Sequence, residues 1–433
     1  MIYKNALVPQ ACLPEEFVPT ACYDAAINPA SLADIHVEGK TILSVEPAQN
    51  RELSNCVDLK GNMVWPGFID AHMHLDKAHT WNRAPNRRGE FWDAIELLSD
   101  DKKHWTFEDV YRRASFSLES AWQHGASAIR THVDTSADFG ETSHKAMQEL
   151  KQVWSGRIDL QTVVLCDVAE FAEPGFGKQM CDLLDSTDGD CLGGMPTMNP
   201  NIDAQLDGLF QIAADRGFDV DLHVDESGDP EARCLERIAE AVIRNKFVGK
   251  VTCGHCCSLA ILDPDSQKRT LAKVADAGIS VISLPLCNLY LQDRKRESCN
   301  EQNGPLTPTW RGITLVHELK SHGCTVAAAS DNVRDAFYAF GDADTFEVYM
   351  TLLRIGHLDL ALGNSPDYIT SHAAEIMGLD NTVGKIAPGH RANLVVFSDV
   401  YHFSELLSRP ASKRQRIFGD KQWERNLPSY SDL

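Results

Sequence analysis

Two histidines one residue apart, His72 and His74, end an apolar run that begins at Gly67. Successive side chains of a strand point to opposite faces, so this spacing puts both imidazoles on one side, where they can bind one metal ion. Other strand candidates end in groups of the same kind: His223-Val-Asp-Glu226, His255 and Asp331. His223 and Asp331 can complete a mixed nitrogen and oxygen shell of the sort that suits Zn²⁺, Fe²⁺ or Mn²⁺. A lone member of the 16 histidines is by default a hydrogen-bonded core or surface residue. The signal is therefore the recurrence of ligand types at successive strand ends. His132, in Thr131-His-Val-Asp134, ends a run without a paired histidine and is read as structural. Cys253-Gly-His-Cys256-Cys257 has a CxxC spacing but no second pair at zinc-ribbon distance, so it is not read as a metal site.

The elements that must position these groups follow from the order of short β-rich runs and helical patterns. Candidate strands are Gly67–His74, Ala128–Asp134, Gln161–Asp167, Cys191–Met195, Val220–His223, Val251–His255, Ile279–Leu284 and Thr325–Asp331. Apolar residues at three- and four-residue spacing mark helices between them, as in Phe107–His124, Ile202–Arg216, Glu231–Asn245 and Leu271–Ala277. Eight βα repeats predict an α/β fold, a (β/α)₈ TIM-like barrel spanning residues 64–384, with its chemistry at the C-terminal strand ends. Residues 1–63 and 385–433 read instead as short strands and turns, including Ala392–Phe397, and are expected to form a small β-sandwich beside the barrel. The polar stretch Gln292–Gly304 is the expected mobile loop.

Composition narrows the function. A chain of 433 residues has room for about three domains of roughly 150 residues, or for one embellished barrel. Lys plus Arg number 41 against 62 Asp plus Glu, a formal charge of −21. Such a surface repels phosphate backbones and anionic lipid, so nucleic-acid and membrane partners are not expected. No apolar run approaches the roughly 18 residues of a membrane span. The 13 cysteines are odd in number and scattered, which points to a reduced, cytoplasmic protein. There is no GxSxG elbow, P-loop or GxGxxG, and His36-Val-Glu38 is followed by no PCxxC.

Pro66-Gly-Phe-Ile-Asp-Ala-His-Met-His74 resembles the PGxxDxHxH opening of the amidohydrolase superfamily. His74-Leu-Asp-Lys77, Thr131-His-Val-Asp134, His223-Val-Asp-Glu226, Pro285-Leu-Cys-Asn-Leu-Tyr-Leu-Gln292, Arg311-Gly-Ile-Thr314 and Ser330-Asp-Asn-Val-Arg-Asp335 are similar to segments of bacterial cytosine deaminase, in the same order from about residue 60 to 400. The resemblance implies one divalent metal ion, zinc or iron with manganese as a further candidate, held by His72, His74, His223 and Asp331. Two-metal members carry a carboxylated lysine at the end of the fourth strand. Here Gly193-Gly-Met-Pro196 has none, and Lys77, just past the first strand, is no substitute.

The implied reaction is hydrolytic release of ammonia from a small aminated N-heterocycle, with cytosine or a relative such as 5-methylcytosine as the expected substrate. The metal activates a water. His255 and Asp331 take its proton, and Glu226, held protonated, donates to a ring nitrogen. Glu226 or Asp331 then passes a proton to the leaving amine. Two departures bear on the substrate. Asp167 stands where cytosine deaminase has a glutamine on the pyrimidine, and Asn332 stands where it has a second aspartate. Both are expected to touch substrate, and the aromatic Phe337, Tyr338 and Phe340 offer faces for a flat ring. The Ser330–Asp335 run also resembles isopropylammelide amidohydrolases, so removal of an alkylamine from a triazine-like ring, or opening of a cyclic amide, is the alternative. A non-catalytic metal-binding barrel is the other alternative, which Glu226 and His255 argue against because neither is needed to hold a metal. Assembly into a homo-oligomer is compatible with the resemblance.

Overall fold

The computed structural model describes residues 1–19, 21–23, 29–49, 55–136, 139–294, 306–409 and 413–433, without the side chains of 360–362. It divides into two compact units, 1–71 with 119–128 and 344–432, and 72–118 with 129–343. Most of the expected mobile loop, 295–304, lies outside the described residues.

One eight-stranded sheet is built of parallel strands in sequence order: β1 (Phe68–Met73), β2 (Ala126–Asp134), β3 (Asp159–Leu165), β4 (Cys191–Gly194), β5 (Asp219–Val224), β6 (Val251–His255), β7 (Ser280–Ser283) and β8 (Val326–Ala328). A parallel bridge between Met73 and Asp331 brings the last strand back to the first, giving a (β/α)₈ barrel. The strands are buried on both faces, which is why they read as near-continuous apolar runs; every residue of β2 is buried. Helices cover them with one apolar stripe each. In Ile202–Arg216 the buried positions Ile202, Leu206, Leu209 and Ala213 recur at three- and four-residue spacing, and Gly217 ends the helix in left-handed backbone. Helix Pro264–Asp276 starts where Asp263 accepts the Ser266 N–H at 3.0 Å.

The first unit carries the other eight-stranded sheet, in which Ile2–Pro9 pairs with Ala30–Glu38 and with Met63–Pro66, and Met63–Pro66 pairs with Asn393–Phe397 from the far end of the chain. Tyr3, Ile35, Ile42, Val64, Leu394 and Ile417 form its core. This is the additional β-sandwich expected from the termini. No helix among the described residues is long and apolar enough to cross a membrane.

Candidate metal centre and active site

Each chemical group sits at or just beyond a C-terminal strand end. His72 is on β1 with His74 one residue past it, and His223 is the penultimate residue of β5. His255 ends β6, and Asp331 follows β8 by three residues. The turns that present them are tight. Asp225, His255, Cys256 and Asp331 have φ of 50°, 66°, 52° and 64°. Left-handed backbone costs a non-glycine residue on the order of 1 kcal/mol, and such residues concentrate at functional sites. Asp225 points away from the centre: its two oxygens accept the Cys234 and Leu235 N–H groups at 2.9 Å, which anchors the loop bearing Glu226 to the next helix.

The sequence-predicted ligands converge. His223 Nε2 lies 3.1 Å from His72 Nε2 and 3.0 Å from His74 Nε2, and Asp331 Oδ1 lies 3.1 Å from His74 Nε2 and 3.7 Å from His72 Nε2. Burial pushes all three imidazoles well below their usual pKa, so they are neutral. A neutral ring nitrogen carries either a proton or a lone pair, so three nitrogens and a carboxylate cannot satisfy one another in this arrangement. A divalent cation answers the conflict, and one carboxylate with three imidazoles is a donor set that zinc, iron and manganese accept. A side chain at residue 193 does not fit, because a Cβ there would stand 2.2 Å from the Asp221 carbonyl oxygen.

Glu226 and His255 are brought to the same point. His255 Nδ1 lies 2.9 Å from Asn288 Oδ1 and 3.5 Å from Glu226 Oε1, and its Nε2 lies 4.0 Å from Asp331 Oδ2. The contact to Asn288 requires a proton on Nδ1, which leaves Nε2 as the lone-pair atom. Burial draws His255 down to about 4, partly offset by Asn288. Burial and the Asp331 carboxylate hold Glu226 well above the usual carboxylate range.

The expected substrate contacts border one cavity of about 500 Å³, together with His74, His223, Glu226, His255 and Asp331. Asp167 is exposed at its rim and accepts the Ala169 N–H at 2.9 Å. Asn332 is buried, donating to Asp335 Oδ2 at 2.8 Å and accepting from Cys287 Sγ at 3.5 Å. Phe337 is buried with its edge to Phe91. Tyr338 is buried beside Tyr290, and Phe340 is 62% exposed; neither borders the cavity. His132, read as structural, has its ring 4.0 Å from that of His72.

Sequence reasoning did not single out Asn288 and Cys287, which stand on the short helix Pro285–Leu291 after β7, although both lie in a quoted segment. It also left unassigned the charged set Lys77, Lys102 and Asp134, which borders the same cavity.

A closed parallel barrel with imidazoles and carboxylates crowded at its C-terminal mouth defines a class, the barrel hydrolases that work with a bound metal. The chain belongs to the amidohydrolase family, whose profile it matches over residues 55–153 and 167–418. It is 44% identical to the pterin deaminase of Rhizobium rhizogenes over 93% of this chain and 90% of that one. It is 27% identical to the N-isopropylammelide isopropyl amidohydrolase of a Pseudomonas species, over 86% and 88% of the two chains. The structure of 5-methylcytosine deaminase from Klebsiella pneumoniae, liganded with 5-fluorocytosine, superposes with a TM-score of 0.83 at 25% identity and covers 99% of this chain and 98% of that one. The protein is a cytosine deaminase-like amidohydrolase, an enzyme that hydrolyses carbon–nitrogen bonds other than peptide bonds.

Proposed function

We propose that the protein deaminates a fused, two-ring aminated heterocycle of the 2-amino-4-oxopteridine type, with release of ammonia. The observation that carries this reading is the cavity. It measures about 500 Å³ and is bordered by the proposed ligands His74, His223 and Asp331 and by the apolar Phe91, Leu98, Phe139 and Phe337, room enough for a fused two-ring heterocycle. The 44% identity to a pterin deaminase supports the same choice, and cytosine, the substrate expected from sequence resemblance, becomes the comparison compound.

The ligand set proposed for a divalent ion is His72, His74, His223 and Asp331; when bound, the ion supplies a water activated for attack at neutral pH. Glu226 carries a proton on its carboxyl and donates it to the ring nitrogen beside the amino-bearing carbon, which makes that carbon electrophilic. His255 Nε2, aimed by the Asn288 contact and near Asp331 Oδ2, takes the proton of the attacking water. As the bond to the amine breaks, the second proton of the attacking water passes through Glu226 or Asp331 to the departing nitrogen, and the proton held by His255, 3.5 Å from Glu226, returns to Glu226 for the next cycle. One water is consumed, the amine leaves as ammonia, and the ring carbon gains an oxo group. Phe337 offers a face to the ring, Asp167 accepts from ring N–H groups at the rim, and Asn332 holds the wall beside Glu226 through Cys287.

The test is ammonia release by zinc-, iron- or manganese-loaded protein from 2-amino-4-oxopteridine, cytosine, 5-methylcytosine and N-isopropylammelide. The expected result is a kcat/KM for the pteridine at least a hundredfold above that for either pyrimidine. A preference for a pyrimidine, or amine release from the triazine alone, overturns the reading.

A further inference from the structure

Among the described residues, Lys77 is the buried cation beside His74 at the cavity that the proposed reaction does not use. Its side chain is 4% exposed and borders the cavity beside His74. An ammonium has three N–H donors. Among the described residues Asp134 Oδ1, at 2.8 Å, is the acceptor for one of them. A buried donor left without a partner costs about 1–3 kcal/mol, so the remaining donors call for an acceptor on the cavity side.

The ammonium is also fixed before any ligand arrives. Asp134 is shared, with Lys77 on Oδ1 and Lys102 on Oδ2, both at 2.8 Å. Asp76 ties the two segments together, its Oδ1 accepting the Lys77 N–H and its Oδ2 the Asp134 N–H, each at 2.8 Å. The Phe337 ring, proposed to face the heterocycle, lies 5.3 Å from Lys77 Nζ. With Lys102 and Lys77 on its two oxygens, Asp134 acts as a clamp on the ammonium, and Lys77 is the donor this wall offers. The wall carrying Asp167 and Glu170 offers carboxylate acceptors.

We infer that Lys77 is a specificity-determining residue whose ammonium donates to the ring carbonyl oxygen of the bound amino-oxo heterocycle, and so decides which way round the ring lies. This rests on the proposed function. An amino group in place of that carbonyl would set N–H against N–H, so the wall discriminates by repulsion as well as attraction.

The test compares binding of 2-amino-4-oxopteridine and 2,4-diaminopteridine, followed by their own fluorescence, in zinc-loaded Glu226→Gln protein so that the rings are not consumed. Lys77 intact, the oxo ring is expected to bind about tenfold or more tighter than the diamino ring, the span of one charged hydrogen bond. Lys77→Met is expected to bring the two within about threefold, and Lys77→Gln, which keeps a donor without the charge, to fall between. Circular dichroism identifies a variant that has not folded, and the other then carries the test. An unchanged preference in either folded variant overturns the role of Lys77 and leaves the deaminase reading standing. If neither ring binds and the unsubstituted protein releases no ammonia from either, the deaminase reading fails and the inference falls with it.

Discussion

Asp331 meets His74 twice: its carbonyl oxygen accepts the His74 N–H at 3.3 Å, and its carboxylate lies 3.1 Å from the His74 imidazole. With the Asp331 N–H on the His72 carbonyl at 2.9 Å, the main-chain contact closes the barrel, and the side-chain contact gathers the ligand set. Barrel closure and the proposed metal site therefore share one residue pair. A cation that binds the folded chain stabilises it by mass action, about 2.7 kcal/mol at a hundredfold excess over its dissociation constant. A chelator is expected to lower the unfolding midpoint of the loaded protein by several degrees, and His223→Ala is expected to abolish both the bound metal and the chelator's effect. A midpoint indifferent to chelator, with no metal detected by elemental analysis, would show that the four residues hold no ion.

The role proposed for Glu226 differs from that proposed for the ligands, and the two separate experimentally. Glu226→Gln keeps size and hydrogen bonding but has no acidic proton to give. Its metal content is expected to match the unsubstituted protein while turnover falls by about 10²–10⁴, the usual worth of a positioned acid. Turnover within tenfold of the unsubstituted protein would remove Glu226 from the mechanism.

Asn288 contacts His255 Nδ1 at 2.9 Å, and any part it has in the proposed reaction runs through that imidazole. Asn288→Leu removes the acceptor that fixes the tautomer and is expected to cost about 10–100-fold in kcat with metal content unchanged. Asn288→Asp restores an acceptor and adds charge. A carboxylate favours the imidazolium, so the folded-state pKa of His255 rises from about 4 and the acid limb of the rate profile moves to higher pH. A flat response of both variants would place His255 outside proton transfer.

The barrel was legible because both its periodicities are in the sequence. Phe107–His124, Ile202–Arg216 and Val251–His255 have the same limits in the structure as in the reading. Residues that are rare and chemically specific were legible too, since histidines at strand ends have few other reasons to recur. Lys77, Lys102 and Asp134 were not, because a lysine or aspartate is ordinarily a solvated surface residue, and only barrel closure brings these three together. Asn288 fails for the same reason: its meaning is the His255 nitrogen across the site, 33 positions away. Strand limits at the far end of the barrel also shifted, with Thr325–Asp331 shortening to Val326–Ala328, as the chain leaves the ladder to deliver Asp331.

Gly193 tests the single-metal geometry from the backbone side. A Cβ at this residue would meet the Asp221 carbonyl oxygen at 2.2 Å, Val163 Cγ1 at 2.6 Å and the Val164 carbonyl oxygen at 2.8 Å. Two of the three are main chain of neighbouring strands and cannot rotate aside. Gly193→Ala is expected to destabilise the protein by about 2–3 kcal/mol in denaturant titration, as overpacking of a close-packed interior does. A lysine, the residue that bridges two metals in other members, is expected to prevent folding. Undiminished stability of Gly193→Ala would mean that strands β3, β4 and β5 sit further apart than described.

Acid sensitivity of the first unit should trace to Asp344. Its carboxylate receives Arg414 at 2.8 and 2.5 Å, lies 3.3 Å from His124 Nδ1, and accepts the Phe346 N–H at 3.1 Å as the cap of helix Thr345–Ile355. Burial alone would raise it, but Arg414 and His124 outweigh that and bring it to about 2. A carboxylate lower in the folded than in the unfolded chain contributes stability that is fully present above its ordinary value near 4. That contribution is lost as the pH falls through about 2. The difference is worth on the order of 2 kcal/mol. Denaturant titrations of metal-free protein between pH 5 and pH 2 are expected to show this loss, and the comparison with Asp344→Asn separates it from the titration of the buried histidines. In Asp344→Asn the acid slope should be shallower by that amount and stability at pH 7 lower, since Arg414 is left buried without its counter-charge. Parallel slopes for the two proteins would assign the acid loss to other carboxylates.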